Sequence, residues 1–440
     1  MRRALCPVES LYVAQRSRAV LSTVVRGRLD TAALSAAFDA VTAAQPTLRT
    51  RIVPDGEGYA LELLPDHERP RLITRIGGDE AYEEELNTPL PVGGPLSRAV
   101  LASTPDGDRH LLVLCVDHTV TDGHSAVTLQ NAVWDRYREL VSGQAATAHA
   151  PQDDEVRWPV PVSTLLPPSD RGEIAKYLRQ RVEEASRHDL ELVAYDTPRE
   201  PSGTSAGAPS YPGHIEVRRL TLDAERTAGL RRAARAAGVS VHGLVAAAVL
   251  TAARRRIGGT GARTLGCMSP VDLRSRLTPP VPASEMVAAV TIHNQTVEVA
   301  EDTDPLVLAR EVAGRVRQFV GSGDLFRETR IMPEAARHPV LQRGTVIVTN
   351  MGVVPGPRLP EGLTLEDVRL VPGRENYFPQ AGRSPVMACV VSFEGRLTIE
   401  FPHHTACFTP AFMRAFRDDV RAALLAFTGS AGTEPAAAAS

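Results

Sequence analysis

Two patterns of hydrophobic and polar positions alternate along the chain. Short apolar or alternating runs rich in β-branched residues read as strands. Stretches whose apolar positions recur every three or four residues read as helices. Residues 20 to 29 (VLSTVVRGRL) read as a strand; Asp30 then caps a helix with Leu34, Phe38 and Val41 on one face, and Pro46 ends it. Residues 48 to 53 and 59 to 64 flank Asp55-Gly56-Glu57-Gly58 as a hairpin. A short strand at 71 to 76 and an acidic helix at 80 to 86 follow. Residues 96 to 104 and 109 to 118 pair as an antiparallel hairpin across Pro105-Asp106-Gly107-Asp108. The run Leu111 to Val116 is too short for a globular helix, so it reads as a buried strand. Beyond it, Ala126, Val127, Val133, Trp134, Tyr137 and Leu140 share one helix face.

From 143 to 170 prolines and small polar residues accumulate, as in an interdomain linker. A charged helix near 170 to 190 and a loose, disordered-looking stretch at 197 to 213 come next. The α/β pattern then resumes. Residues 214 to 222 form a strand, and Asp223 begins a helix that stops at Gly238. Ser240 caps an apolar helix, buried on most sides, whose last turn carries Arg254 to Arg256, where cations suit the helix dipole. Strands are predicted at 264 to 270 and 286 to 299. Asp304-Pro305 opens a further helix. A strand over 344 to 357 runs into an Asn-Met-Gly turn, and 386 to 402 is a hairpin turning at Glu394-Gly395. Thr409-Pro410 starts the last helix, and 431 to 440 is a disordered tail. The pattern predicts two α/β domains, at 1 to 170 and 171 to 430.

Composition narrows the class. The chain has 440 residues, 43% hydrophobic and 23% charged, which is ordinary globular composition. A net charge of −3 gives no global field favouring nucleic acid or an anionic membrane. Five cysteines, Cys6, Cys115, Cys267, Cys389 and Cys407, are widely spaced and mostly beside apolar runs, as reduced buried thiols would be. The first residues hold no sustained apolar segment, and the longest apolar stretch, Val239 to Ala253, is broken by His242 and too short for a bilayer. These features predict a cytoplasmic monomer with no membrane span and no nucleic-acid partner.

The candidate chemistry sits between the strand at 109 to 118 and its helix, in Asp117-His118-Thr119-Val120-Thr121-Asp122-Gly123. A histidine at a strand end is held by rigid scaffold yet can face a cleft, and its ordinary pKa of about 6.5 suits proton uptake near neutrality. Asp122 has three readings: orienting the imidazole, pairing with an arginine, or capping the helix. Gly123 supplies backbone angles that a sharp strand-to-helix turn often needs. A metal reading of His118, Asp122 and His124 lacks a third strong ligand at suitable spacing, so no metal is expected.

Four stretches in order resemble one superfamily, the chloramphenicol-acetyltransferase-like acyltransferases, which includes nonribosomal peptide condensation domains and stand-alone polyketide-associated acyltransferases. LDTAALSAAFDAVTAAQPTLRTRI resembles the family's opening helix and strand, DHTVTDG its HHxxxDG motif, SPVDLR its Pro-Val-Asp-x-Arg segment, and VTNMG the strand and turn leading into its tunnel. The resemblance covers roughly 5 to 428. It implies two α/β domains in a V with a central substrate tunnel, and a segment near 355 to 385 crossing back to the N-terminal domain. It implies His118 as the catalytic histidine, and Asp122, Gly123 and Arg274 as structural support, Asp122 pairing with Arg274. Thr349, Asn350 and Gly352, with backbone amides near Gly123, become candidates for substrate or oxyanion binding.

The family's first histidine is Asp117 here, an acid that could raise the imidazole's pKa. The implied reaction is acyl transfer from a thioester to a hydroxyl, with no bound cofactor. The donor would arrive on phosphopantetheine, on an acyl carrier protein or coenzyme A. Arg16, Arg18, Arg26 and Arg28 are candidates for an arginine patch facing an acidic carrier. The alternatives are an amide-forming enzyme with an amine acceptor, and a non-catalytic member that binds carrier-tethered intermediates.

Overall fold

The computed structural model describes residues 1–143, 157–197, 213–374 and 385–429. The expected linker is described only at its ends, the loose stretch only at 197 and 213, and the tail lies outside the described residues.

In chain order, β1 (Arg2–Ala4), α1 (Pro7–Gln15), β2 (Ser17–Arg26), α2 (Thr31–Ala44), β3 (Thr50–Asp55), β4 (Gly58–Leu63), β5 (Leu72–Ile76), α3 (Glu80–Asn87), β6 (Ser97–Ser103), β7 (Arg109–Asp117) and α4 (Gly123–Val141) come first. Then follow α5 (Arg171–Ser186), β8 (Ile215–Leu222), α6 (Ala224–Ala236), α7 (Val241–Arg254), β9 (Arg263–Asp272), β10 (Val290–Val299), α8 (Pro305–Gly321), α9 (Asp324–Ile331), β11 (Val346–Val353), β12 (Thr364–Arg374), β13 (Val386–Phe393), β14 (Arg396–His404) and α10 (Pro410–Gly429). Helix starts follow the sequence: Asp30, Asp223 and Ser240 each accept a backbone N–H of the helix they precede.

The chain forms two compact units. One comprises the described parts of Met1–Pro168, Asp272–Val290 and Val354–Tyr377; the other comprises those of Ser169–Val271, Thr291–Val353 and Phe378–Ser440. The predicted boundary near 170 meets the first division. Val354–Tyr377 overlaps the segment expected near 355 to 385 to cross back, and its β12 pairs with β2; Asp272–Val290 also belongs to the first unit, its Arg274 and Ala289 bonding to Asp122.

The first unit has a small sheet, β1-β4-β3, and a five-stranded sheet ordered β12-β2-β7-β6-β5. β7 sits at its centre, with Leu111 through Val116 at most 3% exposed, as a near-continuous apolar run requires. Trp134 and Tyr137 on α4 are buried, whereas Leu140 is exposed. In the second unit the sheet order is β10-β9-β11-β13-β14-β8. Its core gathers Leu244 to Leu250 of α7 with Phe401 of β14 and Met413, Phe416, Val420 and Leu424 of α10. Arg254, at the C-terminal end of α7, is buried; its guanidinium donates to the Ile257, Gly259 and Gly261 carbonyls, so it closes the helix end.

Three local differences from the predicted pattern stand out. α1 and α9 are not marked by strong periodicity. β10 starts at Val290 rather than 286, because the Ala289 N–H is committed to Asp122. β11 continues through Asn350 and Gly352 with a register shift against β13, where the pattern predicted a turn. All five cysteines are free and buried. Among the described residues no single helix is long and apolar enough to cross a membrane.

Candidate active site

His118 is the residue after β7, and its backbone N–H donates to the Ser17 carbonyl of β2 at 2.8 Å. Its ring lies parallel to that of Tyr12 on α1, with centroids 4.7 Å apart and planes 6° apart. Stacking over this distance fixes the plane of the imidazole. The side chain is half-buried. Nδ1 is shut off from solvent with no partner in hydrogen-bonding geometry, which leaves Nε2 as the nitrogen able to meet a substrate. Burial pushes the imidazole's pKa below its ordinary value; the Arg374 guanidinium pushes the same way, while its own backbone, Asp122 and the Thr121 backbone oppose them. The resting ring is therefore neutral at pH 7.

The expected effect of Asp117 is not found. Its carboxylate accepts the Thr119 N–H at 2.8 Å, tying it into the turn, and burial raises its own pKa. The shift at His118 is downward and Asp117 is not among its causes.

Asp122 combines two of its three readings. As N-cap of α4, its Oδ1 accepts the Ser125 N–H at 2.9 Å. Its Oδ2 accepts Arg274 Nε at 3.0 Å and the Ala289 N–H at 3.0 Å. Arg274 spends its remaining donors on the Pro282, Glu285 and Val287 carbonyls. The side chains of this ion pair are 5% and 6% exposed, so each charge depends on the other. Gly123 is the first residue of α4 and does not adopt the left-handed region, so the turn does not demand it for that reason.

Thr349, Asn350 and Gly352 lie on β11 in the second unit, half-buried, half-buried and exposed. Asn350 Oδ1 accepts the Gly352 N–H at 2.8 Å, and Gly352 has φ +69°. Asn350 thus holds the strand irregularity together. A cavity of about 440 Å³ in the same unit has Tyr177, Arg181, His293, Gln295, Arg315 and Phe319 among its lining residues, and none of the β11 candidates.

Of the four arginines weighed as a carrier-facing patch or a merely solvated face, two have internal partners. Arg18 is buried and donates to the Leu86 carbonyl at 2.6 Å, and Arg26 is held between Asp108 and Glu366. Tyr12 and Arg374 were missed. Neither belongs to a motif, and only packing brings them to His118.

Residues 211–402 match the family model described as "Phthiocerol/phthiodiolone dimycocerosyl transferase C-terminus". A phthiocerol/phthiodiolone dimycocerosyl transferase of Mycobacterium leprae is 26% identical over 419 residues, 93% of each chain. Similar to these transferases over nearly its whole length, the chain is an acyltransferase. Among solved structures, this acyltransferase is similar to polyketide synthase associated protein 5 of Mycobacterium tuberculosis, with a TM-score of 0.73, 21% identity and 98% and 99% of the two chains covered. It is also similar to the first condensation domain of the calcium-dependent antibiotic synthetase, with a TM-score of 0.67, 20% identity and 98% of each chain covered. At these identities the solved structures speak for the acyltransferase's fold alone.

Proposed function

We propose that this acyltransferase moves an acyl group from a phosphopantetheine thioester, carried on an acyl carrier protein or coenzyme A, to a hydroxyl of a lipid or natural-product acceptor, with His118 as general base. The observation that carries this reading is the His118 imidazole, held in plane by Tyr12 with Nδ1 buried and Nε2 left to meet a substrate. The acceptor oxygen attacks the thioester carbonyl carbon while Nε2 takes its proton. The tetrahedral intermediate collapses, the C–S bond breaks, and the thiolate leaves with the proton returned by the imidazolium. The products are an ester and a free thiol. An Nε2 base needs its resting proton on Nδ1, the buried side of the ring. A thioester carbonyl is already electrophilic, so the base's contribution is of the order expected for general catalysis, about 10²- to 10⁴-fold. The backbone amides opening α4 are the candidates for oxyanion contacts. The relatives named phthiocerol/phthiodiolone dimycocerosyl transferase favour a hydroxyl over an amine acceptor.

The test is to incubate the purified chain with an acyl-CoA and, separately, an acylated carrier protein, against a panel of long-chain alcohols and amines. Ester should form, and His118→Ala should reduce its rate about 10²- to 10⁴-fold with the fold intact. Unchanged turnover in that variant rules out the base role, and amide as the main product rules out the hydroxyl acceptor.

A further inference from the structure

Ser17, the first residue of β2, has a neighbour on each side in the sheet. On one side it lies opposite Arg374, the last residue of β12. On the other, Arg18 lies opposite Asp117, so the next position in line with Ser17 is His118, whose N–H reaches the Ser17 carbonyl at 2.8 Å. Residues directly opposite one another in antiparallel strands send their side chains to the same face. Arg374, Ser17 and His118 therefore form one row across three strands. The backbones at its two ends are two strand spacings apart, about 10 Å, a gap that a long arginine side chain bridges in part.

Among the described residues, three groups bear on the imidazole. Tyr12 comes from α1, Asp122 from the turn and Arg374 from β12. Of the other charges nearby, Asp117 is tied to Thr119, and Arg18 of β2 donates to the Leu86 carbonyl. Asp122 is already matched by Arg274.

Resting on His118 as the base, we propose that Arg374 is a positioning residue for the reaction: a fixed positive charge in the His118 row that acts through space to keep the imidazole in its proton-accepting form. The field of Arg374 also reaches the stacked Tyr12, where it favours the phenolate against burial and Asp122. One guanidinium thus bears on both rings. Its consequence is a site that remains basic under mildly acidic conditions.

The test uses the full chain with ¹³C-labelled histidine. The His118 ring is titrated by NMR in the wild type, Arg374→Met and Arg374→Lys, and kcat/KM for ester formation from an acyl-CoA and a long-chain alcohol is measured against pH in parallel. Arg374→Met should raise the His118 titration midpoint, and the acid limb of kcat/KM should move up with it. Arg374→Lys, which keeps the charge, should leave both near the wild-type values. An unmoved midpoint in a folded Arg374→Met, or an equal rise in Arg374→Lys, overturns the proposal; Arg374→Gln takes its place if the Met variant does not fold. The NMR titration needs no turnover. Activity surviving His118→Ala would therefore remove the base reading while the effect of Arg374 on the ring is still measured.

Discussion

At the scale of single residues, the ion pair of Asp122 and Arg274 makes the sharpest prediction. Both side chains are almost fully buried; Arg274 donates its other hydrogen bonds to backbone carbonyls, and Asp122 accepts from the Ser125 and Ala289 N–H groups and the Ser125 hydroxyl. Arg274→Ala would strand a buried carboxylate, and removal of one partner of such a pair costs about 3–5 kcal/mol. The double variant with Asp122→Ala should cost clearly less than the sum of the two singles. Thermal or denaturant unfolding of the four proteins measures this, and additivity within roughly 0.5 kcal/mol would reject the pairing. His118 makes a second prediction. Its neutral form is the active one and burial lowers its pKa, so kcat/KM should hold below the ordinary imidazole value of about 6.5 before falling. A pH profile that declines at or above that value counts against the assignment. His118, Asp122 and Arg274 were legible because motif residues keep their spacing within short segments. Tyr12, Arg374 and the fates of Arg18 and Arg26 were not. A residue's neighbours across a sheet are set by pairing between strands far apart in sequence, and nothing local encodes them.

At the scale of elements, β12 is the informative strand. It joins the sheet of the first unit from 338 residues down the chain, pairing Thr364 with Arg26 and Arg374 with Ser17. The joint at the far end of β2 is tight. Gly27 has φ +123°, and a Cβ there would stand 2.1 Å from the Gly362 carbonyl oxygen. No side chain fits both that angle and that space. Gly27→Ala should lower the unfolding free energy by at least about 1–3 kcal/mol, the usual cost of a strained backbone residue. An unchanged melting midpoint would mean that the joint yields. The helices with caps, α2, α6 and α7, were readable because capping is local chemistry. The exact start of β10 was not, since an apolar run continues past the point where the Ala289 N–H turns to Asp122.

At the scale of the whole molecule, burial acts on histidines in both units. His118, His403 and His404 have lowered pKa values, and His242 and His293 are pushed down to about 4. When the folded pKa lies below the unfolded one, the unfolded chain binds more protons in the interval between them, and stability falls as pH falls through it. Asp117 and Glu328, whose burial raises their pKa, act in the opposite sense, because the folded chain holds their protons longer. The five histidines outnumber them, so the melting midpoint should drop between pH 7 and pH 5. Equal midpoints would contradict that balance. The sequence alone determined the α/β class, the positions of most strands and helices, and the motif residues, because periodicity, caps and turn chemistry act over a few residues. Only the tertiary structure decided which strand lies beside which, that Asp272–Val290 belongs with the first unit, and that Tyr12 and Arg374 stand at His118, because those outcomes depend on contacts between segments with no fixed separation in the chain.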